Sequence, residues 1–173
     1  KGAVNEVTSW HDSAYAPFNF NEFGTVVVVF NSSVLTRVPT DLHSTINNTR
    51  SMFQGATVFN QPIGTWNMDS VTDMSNMFKG AAAFNQDISG WKLSNVTTVS
   101  GMFDGATAYN RPIINWDVSN VRNFSRFLAG ATAFNQLLDL WNIRNATNLS
   151  GMFQSATNFN QDLSMWDVSN VTD

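Results

Sequence analysis

Hydrophobic and polar positions along this chain follow a pattern that recurs every 25 residues. Tryptophan marks one place in the pattern, and an aromatic residue followed by asparagine marks another. The equivalent positions are Trp66, Trp91, Trp116, Trp141 and Trp166; Phe59, Phe84, Tyr109, Phe134 and Phe159; and Asn60, Asn85, Asn110, Asn135 and Asn160. A fixed period of this length is typical of stacked repeats, in which each unit buries its apolar residues against the next.

The first half of each repeat has a helical spacing of apolar residues. Within Asn95–Ala106 the apolar positions are separated by three or four residues, which predicts a short helical segment. Ser94 or Asn95 would cap its start by accepting a backbone N–H. Gly105 stands where a helix would end in a left-handed residue.

The second half of each repeat predicts a short strand. Ile113, Trp116 and Val118 have the spacing of a leucine-rich-repeat strand, and Asp117 between the last two would face outward. We therefore predict an α/β solenoid, a leucine-rich-repeat-like right-handed coil. Each 25-residue repeat would contribute one short parallel strand and one short helical segment, and an irregular N-terminal cap would cover one end.

The chain divides into an irregular region and a repeat array. Residues 1–33 follow no period, and we interpret them as an N-terminal cap or the end of a preceding segment, with a buried strand over 25–30. The array is predicted over 34–173, starting with a degenerate first turn at 34–45. Regular repeats follow at 46–70, 71–95, 96–120, 121–145 and 146–170, and 171–173 begins a further repeat. We interpret the chain as a mature piece or a fragment of a longer protein.

Composition narrows the range of functions. Charged residues make up only 13% of the 173 residues, about half the usual share, so Asn, Ser, Thr and Gln must dominate the surface. Such a surface suits an extracellular or cell-surface protein. A net charge of −4 argues against a nucleic-acid partner. The chain has no cysteine and therefore no disulfide, and it has no apolar run long enough to span a membrane directly.

Two motifs in the repeat resemble those of a known family. Met77–Ala81 with Phe84–Gln86 fits M-F-x-G-A-x-x-F-N-Q, and Trp166–Thr172 reads W-D-V-S-N-V-T. They are similar to the BspA-like leucine-rich repeat, in its 25-residue mycoplasma-type surface lipoprotein variety, and the resemblance covers 34–173. It implies a secreted or surface-anchored protein of a bacterium, protist, alga or large virus, with a role in adhesion and with no catalytic residues or cofactor. The fourth repeat departs from the motif at Arg126–Leu128, so its packing is expected to shift.

Exposed positions beside each tryptophan vary while their neighbours repeat, which is typical of a recognition surface. Three parallel rows are predicted. They are Asn67, Lys92, Asp117, Asn142 and Asp167; Thr65, Gly90, Asn115, Leu140 and Met165; and Asp69, Ser94, Ser119, Arg144 and Ser169. Our candidate partner-binding residues are the whole first row together with Asn115, Leu140 and Met165. The partner would be a protein or a glycan, and solvent-exposed drift in sequence is the simpler explanation for any single position.

Two other function classes stay open at this stage. One is a structural component of an extracellular filament, coat or viral particle, in which the array stacks on further repeats or on copies of itself. The other is an enzyme, which we do not expect, because His11 and His43 are the only histidines and no nucleophile, phosphate-binding or metal-binding motif occurs. No cofactor or metal is predicted.

Asparagines carry two further predictions. Those that follow the aromatic residue would bond to backbone groups in their own and the next repeat, which is a structural role. Asn-x-Ser/Thr sequons offer possible N-glycosylation, although most arise from the repeat itself. The sequons lie at Asn31, Asn47, Asn95, Asn123, Asn145, Asn148 and Asn170. Asn31 and Asn47 are favoured because they lie in irregular segments, whereas Asn95 and Asn170 would be restricted as helix caps.

Overall fold

The computed structural model describes residues 38–173 and two short strands that precede them. These strands are β1, Asn19–Phe20, and β2, Val26–Val27, which pair antiparallel with Asn19 opposite Val27 and Phe20 opposite Val26. Of the strand predicted over 25–30, β2 is the described part, and the predicted burial lies outside what the structure describes. The cap predicted over 1–33 otherwise lies outside the described residues.

Residues 38–173 form a stack of 25-residue repeats joined by backbone hydrogen bonds. One position in each repeat makes an isolated parallel bridge to its equivalent in the next repeat, and these bridges form a continuous line. The bridged residues are Asn48, Asp73, Thr98, Asn123 and Asn148. The period read from the sequence is therefore the structural period.

The helix predicted in each repeat is wrong. Across 99–105, alternate N–H groups donate to carbonyls of the following repeat at 2.7–3.0 Å. These inter-repeat donors are Val99, Gly101, Phe103 and Gly105. The N–H groups of Met102 and Asp104 donate three residues back within their own repeat, and that of Ser100 donates to the hydroxyl of Thr98. A helix would direct all seven N–H groups along its own axis. Here four of them point along the stack, so the segment is a series of turns.

Left-handed residues explain why no helix forms. Gly101 has a φ of 62° and Gly105 a φ of 74°, and two residues of this hand within five positions interrupt any right-handed helix. The first position recurs as a left-handed residue even where it is not glycine. Its other occupants are Ser51, Asn76, Arg126 and Gly151. The three-and-four spacing of apolar residues therefore reflects turns of similar length.

The strand predicted in the second half of each repeat is also wrong. In residues 113–118 the N–H of Trp116 closes a turn on the carbonyl of Ile113 at 3.1 Å. Within residues 38–173, no backbone–backbone bond joins this segment to its equivalents. The indole Nε1 of Trp116 instead donates to the carbonyl of Ile88 at 3.0 Å, and the other tryptophans make the same kind of bond. The described residues are thus not an α/β solenoid, since residues 38–173 contain neither a helix nor a strand.

Aromatic columns fill the space between the turns. Trp91, Trp116, Trp141 and Trp166 stack at 6.4–6.5 Å between ring centroids, and the first three are at most 4% exposed. A second column runs through Phe59, Phe84, Tyr109, Phe134 and Phe159 at 5.8–6.1 Å. Stacked rings at this separation attract one another beyond their burial. The tryptophans therefore point into the core, as the sequence predicts.

The fourth repeat packs differently, as expected from its departure from the motif. The third column runs Phe53, Phe78 and Phe103 at 5.5 Å, and Leu128 then interrupts it. Phe127 meets Phe103 edge-on instead, at 5.4 Å and 76°. One aromatic residue has moved by one position, so the rings keep contact while the parallel stack is lost.

The left-handed conformation of Gly105 predicts that replacing this glycine lowers the stability of the fold. A Cβ there would have room, with its nearest neighbours at 3.7 Å, but the backbone would be strained. Gly105→Ala should lower the free energy of unfolding by about 1–2 kcal/mol, measured by urea denaturation. Gly90→Ala is the control, because Gly90 is not left-handed and its Cβ would meet nothing closer than 4.0 Å. Equal losses in both variants would show that the left-handed conformation is not the cause.

A buried hydroxyl at Tyr109 provides a second test. This ring occupies a position that is phenylalanine in the other repeats, and its hydroxyl has no hydrogen-bond partner among the described residues. Burial raises the pKa of Tyr109 well above its usual value. Tyr109→Phe should raise the free energy of unfolding by about 1 kcal/mol, because an unsatisfied hydroxyl returns to water only on unfolding. A loss of stability would reveal a partner for the hydroxyl.

Candidate functional site

The three predicted rows lie on one surface, which we call the tryptophan face. It consists of the outer side chains at 65–69 and the equivalent residues 90–94, 115–119, 140–144 and 165–169. Every residue of the three rows is exposed apart from Ser119, which is half-buried. Buried tryptophans support this surface from beneath. The predicted exposure is correct, although the rows lie on turns and extended segments rather than on strands.

Most of the first row has a local structural task. Asn67 Oδ1 accepts the N–H of Asp69 at 2.8 Å, and Asp117 Oδ1 accepts the N–H of Ser119 at 3.1 Å. Asn142 and Asp167 close the same turn. Hydrogen bonds from the Ser119 hydroxyl and N–H lower the pKa of Asp117. Since Asn and Asp serve this turn equally well, their interchange in the row has a cause other than recognition.

The second row changes from polar to apolar along the stack. Thr65, Gly90 and Asn115 are followed by Leu140 and Met165, which are 72% and 81% exposed. The last two occupy the same position in adjacent repeats, so they form an apolar pair, and Val168 in the last repeat is a further exposed apolar side chain on this face. Exposed apolar side chains that lie together are typical of contact surfaces.

At the other end of the same face, the surface is concave. A cleft of about 220 Å³ is lined by Gly64, Thr65, Trp66, Asn67, Met68, Asp69, Gly90 and Lys92. Two of our candidate residues, Asn67 and Lys92, therefore lie together in one depression. The cleft is not among the features predicted from the sequence. Glycine nevertheless stands at 64 and 90, where the next repeat carries Ser89 and Asn115.

A ladder of asparagines runs along a different edge of the stack. Asn110 Oδ1 accepts the N–H of Asn135 at 2.9 Å, and the same bond links the other members in turn. Gln136 Nε2 adds bonds to Oδ1 and the carbonyl of Asn110. The predicted bond to a backbone group of the next repeat is confirmed, whereas within residues 38–173 these side chains form no bond to their own repeat. Most of them are exposed, so the ladder lies at the surface.

The asparagines of the sequons differ in the hydrogen bonds that their side-chain amides form. Asn95 and Asn170 are not helix caps; each Nδ2 donates to a carbonyl of the preceding repeat, at 2.7 and 2.8 Å, and Asn145 does the same. Asn123 and Asn148 are half-buried and accept N–H bonds in local turns. Asn47 is exposed, and its side chain forms no hydrogen bond with another residue of 38–173. Asn31 lies outside the described residues, so Asn47 stays the favoured acceptor here.

A charged cluster crosses two repeat boundaries away from the tryptophan face. Asp104 is 9% exposed and accepts Arg126 Nε at 3.0 Å and Nη2 at 3.2 Å, while Lys79 Nζ lies 3.2 Å away. Arg126 also donates to Gln154 Oε1 at 2.6 Å. Burial acts to raise the pKa of Asp104, but hydrogen bonds from Arg126 and Lys79 outweigh it and hold the pKa below its usual value.

Two other features, a metal site and a membrane-spanning helix, are absent from the described residues. No group of three or more His, Cys, Asp or Glu residues in the described part of the chain could hold a metal ion. Nor does that part contain a helix with the length and apolar character needed to cross a membrane.

The Asp104 cluster predicts a pH-dependent stability. A carboxyl with a lowered folded-state pKa stabilises the fold above its unfolded pKa of about 3.9, and this contribution is lost as pH falls through the folded value. Asp104→Asn should lower the free energy of unfolding by about 1 kcal/mol at pH 7. The difference from the wild type should shrink below about pH 4, as measured by urea denaturation at a series of pH values.

Arg126→Gly is the matching variant for this prediction, because Gly101 and Gly151 occupy the equivalent positions. It should lose most of the same pH dependence. A wild type and an Asp104→Asn variant that differ by the same amount at pH 3 and pH 7 would contradict the ion-pair explanation.

Comparison with known proteins identifies a family and no individual relative. The model of the family described as "Mycoplasma protein of unknown function, DUF285" matches residues 29–138 and 110–173. Searches of curated proteins and of solved structures give no significant match. The two matched ranges together cover most of the chain and the whole described stack. The chain therefore belongs to the DUF285 family of repeat proteins.

Proposed function

We propose that this chain is a non-catalytic repeat scaffold of an extracellular or cell-surface protein, and that its tryptophan face binds a protein or glycan partner. Within its family we propose a place among the BspA-like surface repeat proteins, on the strength of the M-F-x-G-A-x-x-F-N-Q and W-D-V-S-N-V-T motifs. The low share of charged residues, 13%, supports an extracellular setting. Adhesion is the corresponding activity.

Exposure of Leu140 and Met165 is the observation that carries the proposal. Both side chains are more than 70% exposed, and both occupy the same row of the face, beside Trp141, which is buried, and Trp166, which is half-buried. The fold does not need them there, because other repeats carry Thr65 or Asn115 at this position. A partner that covers them would gain the free energy of burying two large side chains.

Assembly is the second candidate function. Backbone bonds join each repeat to the next through equivalent groups, such as Thr72 N–H to the carbonyl of Asn47 and Thr97 N–H to that of Thr72. A repeat of one copy therefore matches a repeat of another copy. Sedimentation velocity over a hundredfold range of concentration separates the two functions. Growth of the particle with concentration favours assembly, whereas one constant species favours a binding module.

Replacing the apolar pair tests the binding function. The double variant Leu140→Asn, Met165→Thr introduces residues that the same row already carries, so the fold should tolerate it. Binding of the wild type would be measured by biolayer interferometry on immobilised extracellular-matrix proteins and glycans. On a surface that binds the wild type, the variant should bind at least about tenfold more weakly, the effect of losing one buried leucine.

Val58→Ala is the control for this experiment. Val58 is 51% exposed and lies away from the tryptophan face, and alanine occupies its position in the next three repeats. It should leave binding unchanged. The proposal fails if the wild type binds none of the immobilised partners saturably, or if the double variant binds them as well as the wild type does.

A further inference from the structure

The cleft on the tryptophan face exists because one residue lacks a side chain. Gly90 does not have a left-handed φ, and a Cβ there would meet only the carbonyl oxygen of Gly64, at 4.0 Å. The backbone therefore does not require glycine at this position. At Gly64 the requirement is real, because a Cβ would collide with the carbonyl oxygen of Asp87. Neighbouring repeats place Thr65 and Asn115 in the row of Gly90, so its missing side chain leaves the surface open.

The charged and polar groups that line the cleft keep donors or acceptors that the fold does not occupy. Lys92 and Asp69 are exposed, and neither forms an ion pair with another residue of 38–173. Asn67 spends its Oδ1 on the N–H of Asp69, which leaves its Nδ2 as a donor. Thr65 donates its hydroxyl to the carbonyl of Thr40 at 3.3 Å, which leaves its oxygen as an acceptor. The cleft thus offers a cation, a carboxylate, a donor and an acceptor.

The size of the cleft limits what it can hold. Its volume of about 220 Å³ is smaller than the roughly 300–1,000 Å³ of pockets for drug-sized ligands. The indole of Trp66 is 2% exposed and offers little surface for stacking. A small polar site of this kind suits a single sugar ring held by hydrogen bonds.

The opposite charges of Lys92 and Asp69 restrict the class of ligand that the cleft can bind. The ammonium group of Lys92 is a partner for a carboxylate, and Asp69 accepts hydrogen bonds from hydroxyl groups. A phosphate carries more negative charge than a carboxylate and would meet stronger repulsion from Asp69. An acidic peptide side chain offers no hydroxyl to Asp69. A sugar that carries a carboxylate supplies both partners.

We propose that this cleft binds a carboxylate-bearing sugar residue, such as a uronic acid, of a glycan. This inference rests on the proposed function, since it assigns a ligand class to one end of the same face. The cleft and the apolar pair lie in different repeats, so the two can be tested separately.

Titration of the chain with D-glucuronate, followed by ¹H–¹⁵N NMR, tests the assignment. D-Glucose is the matched control, because it differs only in carrying a hydroxymethyl group in place of the carboxylate. Glucuronate should shift the amide signals of Gly64, Asn67 and Gly90 saturably, and glucose should shift them at least about fivefold more weakly. Lys92→Gln should weaken glucuronate binding about fivefold, the range of an exposed charge-assisted contact. Arg122→Gln, an exposed cation outside the cleft, should not.

Filling the cleft provides the second arm. Gly90→Asn introduces the residue of the next repeat and should abolish glucuronate binding without changing the thermal unfolding midpoint. The Leu140→Asn, Met165→Thr variant should retain it. If the Leu140→Asn, Met165→Thr variant binds the immobilised partners as well as the wild type does, while glucuronate still binds, the proposed protein partner is excluded and the sugar site is retained.

Three results would overturn the inference. They are the absence of saturable shifts up to about 50 mM glucuronate, equal binding of glucose and glucuronate, and full binding by a folded Gly90→Asn variant. N-acetyl-glutamate amide distinguishes the remaining source of a carboxylate. If it binds as tightly as glucuronate, the cleft recognises acidic side chains and the sugar assignment is wrong.

Discussion

Every repeat of this chain depends on its neighbour to satisfy groups that it cannot satisfy itself. Its turns direct alternate N–H groups along the stack, and its rings present flat faces in the same direction. A backbone donor without an acceptor and an aromatic ring in water both cost free energy. The following repeat removes both costs at once because it has the same shape and a fixed offset of 25 residues. Stability therefore belongs to the interfaces between repeats, as in other stacked arrays.

The interfaces were predictable from the sequence, whereas the backbone within each repeat was not. Strict recurrence of Trp116 and its equivalents required stacked indoles, and the asparagine ladder followed from the donors and acceptors of an amide. The predictions of a helix and a strand were wrong because the spacing of apolar residues shows which residues face the core, not which backbone conformation places them there. Turns that advance three or four residues produce the same spacing as a helix. The left-handed position gave little warning, since it is held by Ser51, Asn76 and Arg126 as well as by glycine.

Some features of the candidate site were likewise predictable from the sequence, and others were not. Exposure of the three rows followed from the period, because positions that vary within a repeated frame lie on its outer side. The turn formed by Asn67 or Asp117 could have been anticipated from residue type. The cleft could not be measured from the sequence, since its depth depends on how far apart two neighbouring repeats hold their backbones. Gly90 nevertheless indicates the position of the cleft. A glycine in a row that otherwise carries side chains is therefore a feature to look for in related chains.

The joint between the third and fourth repeats differs from the other joints in how its rings pack. Leu128 ends the parallel phenyl column there and Phe127 meets Phe103 edge-on, while the tryptophan column continues unbroken. The Asp104–Arg126 ion pair crosses this boundary, but ion pairs also cross the other three, at Arg50–Asp73, Lys79–Asp104 and Arg144–Asp167. Salt screens all of these ion pairs and leaves stacked rings almost untouched. Raising the ionic strength would therefore weaken every joint to some extent and leave the continuous ring columns as the element that holds the array together.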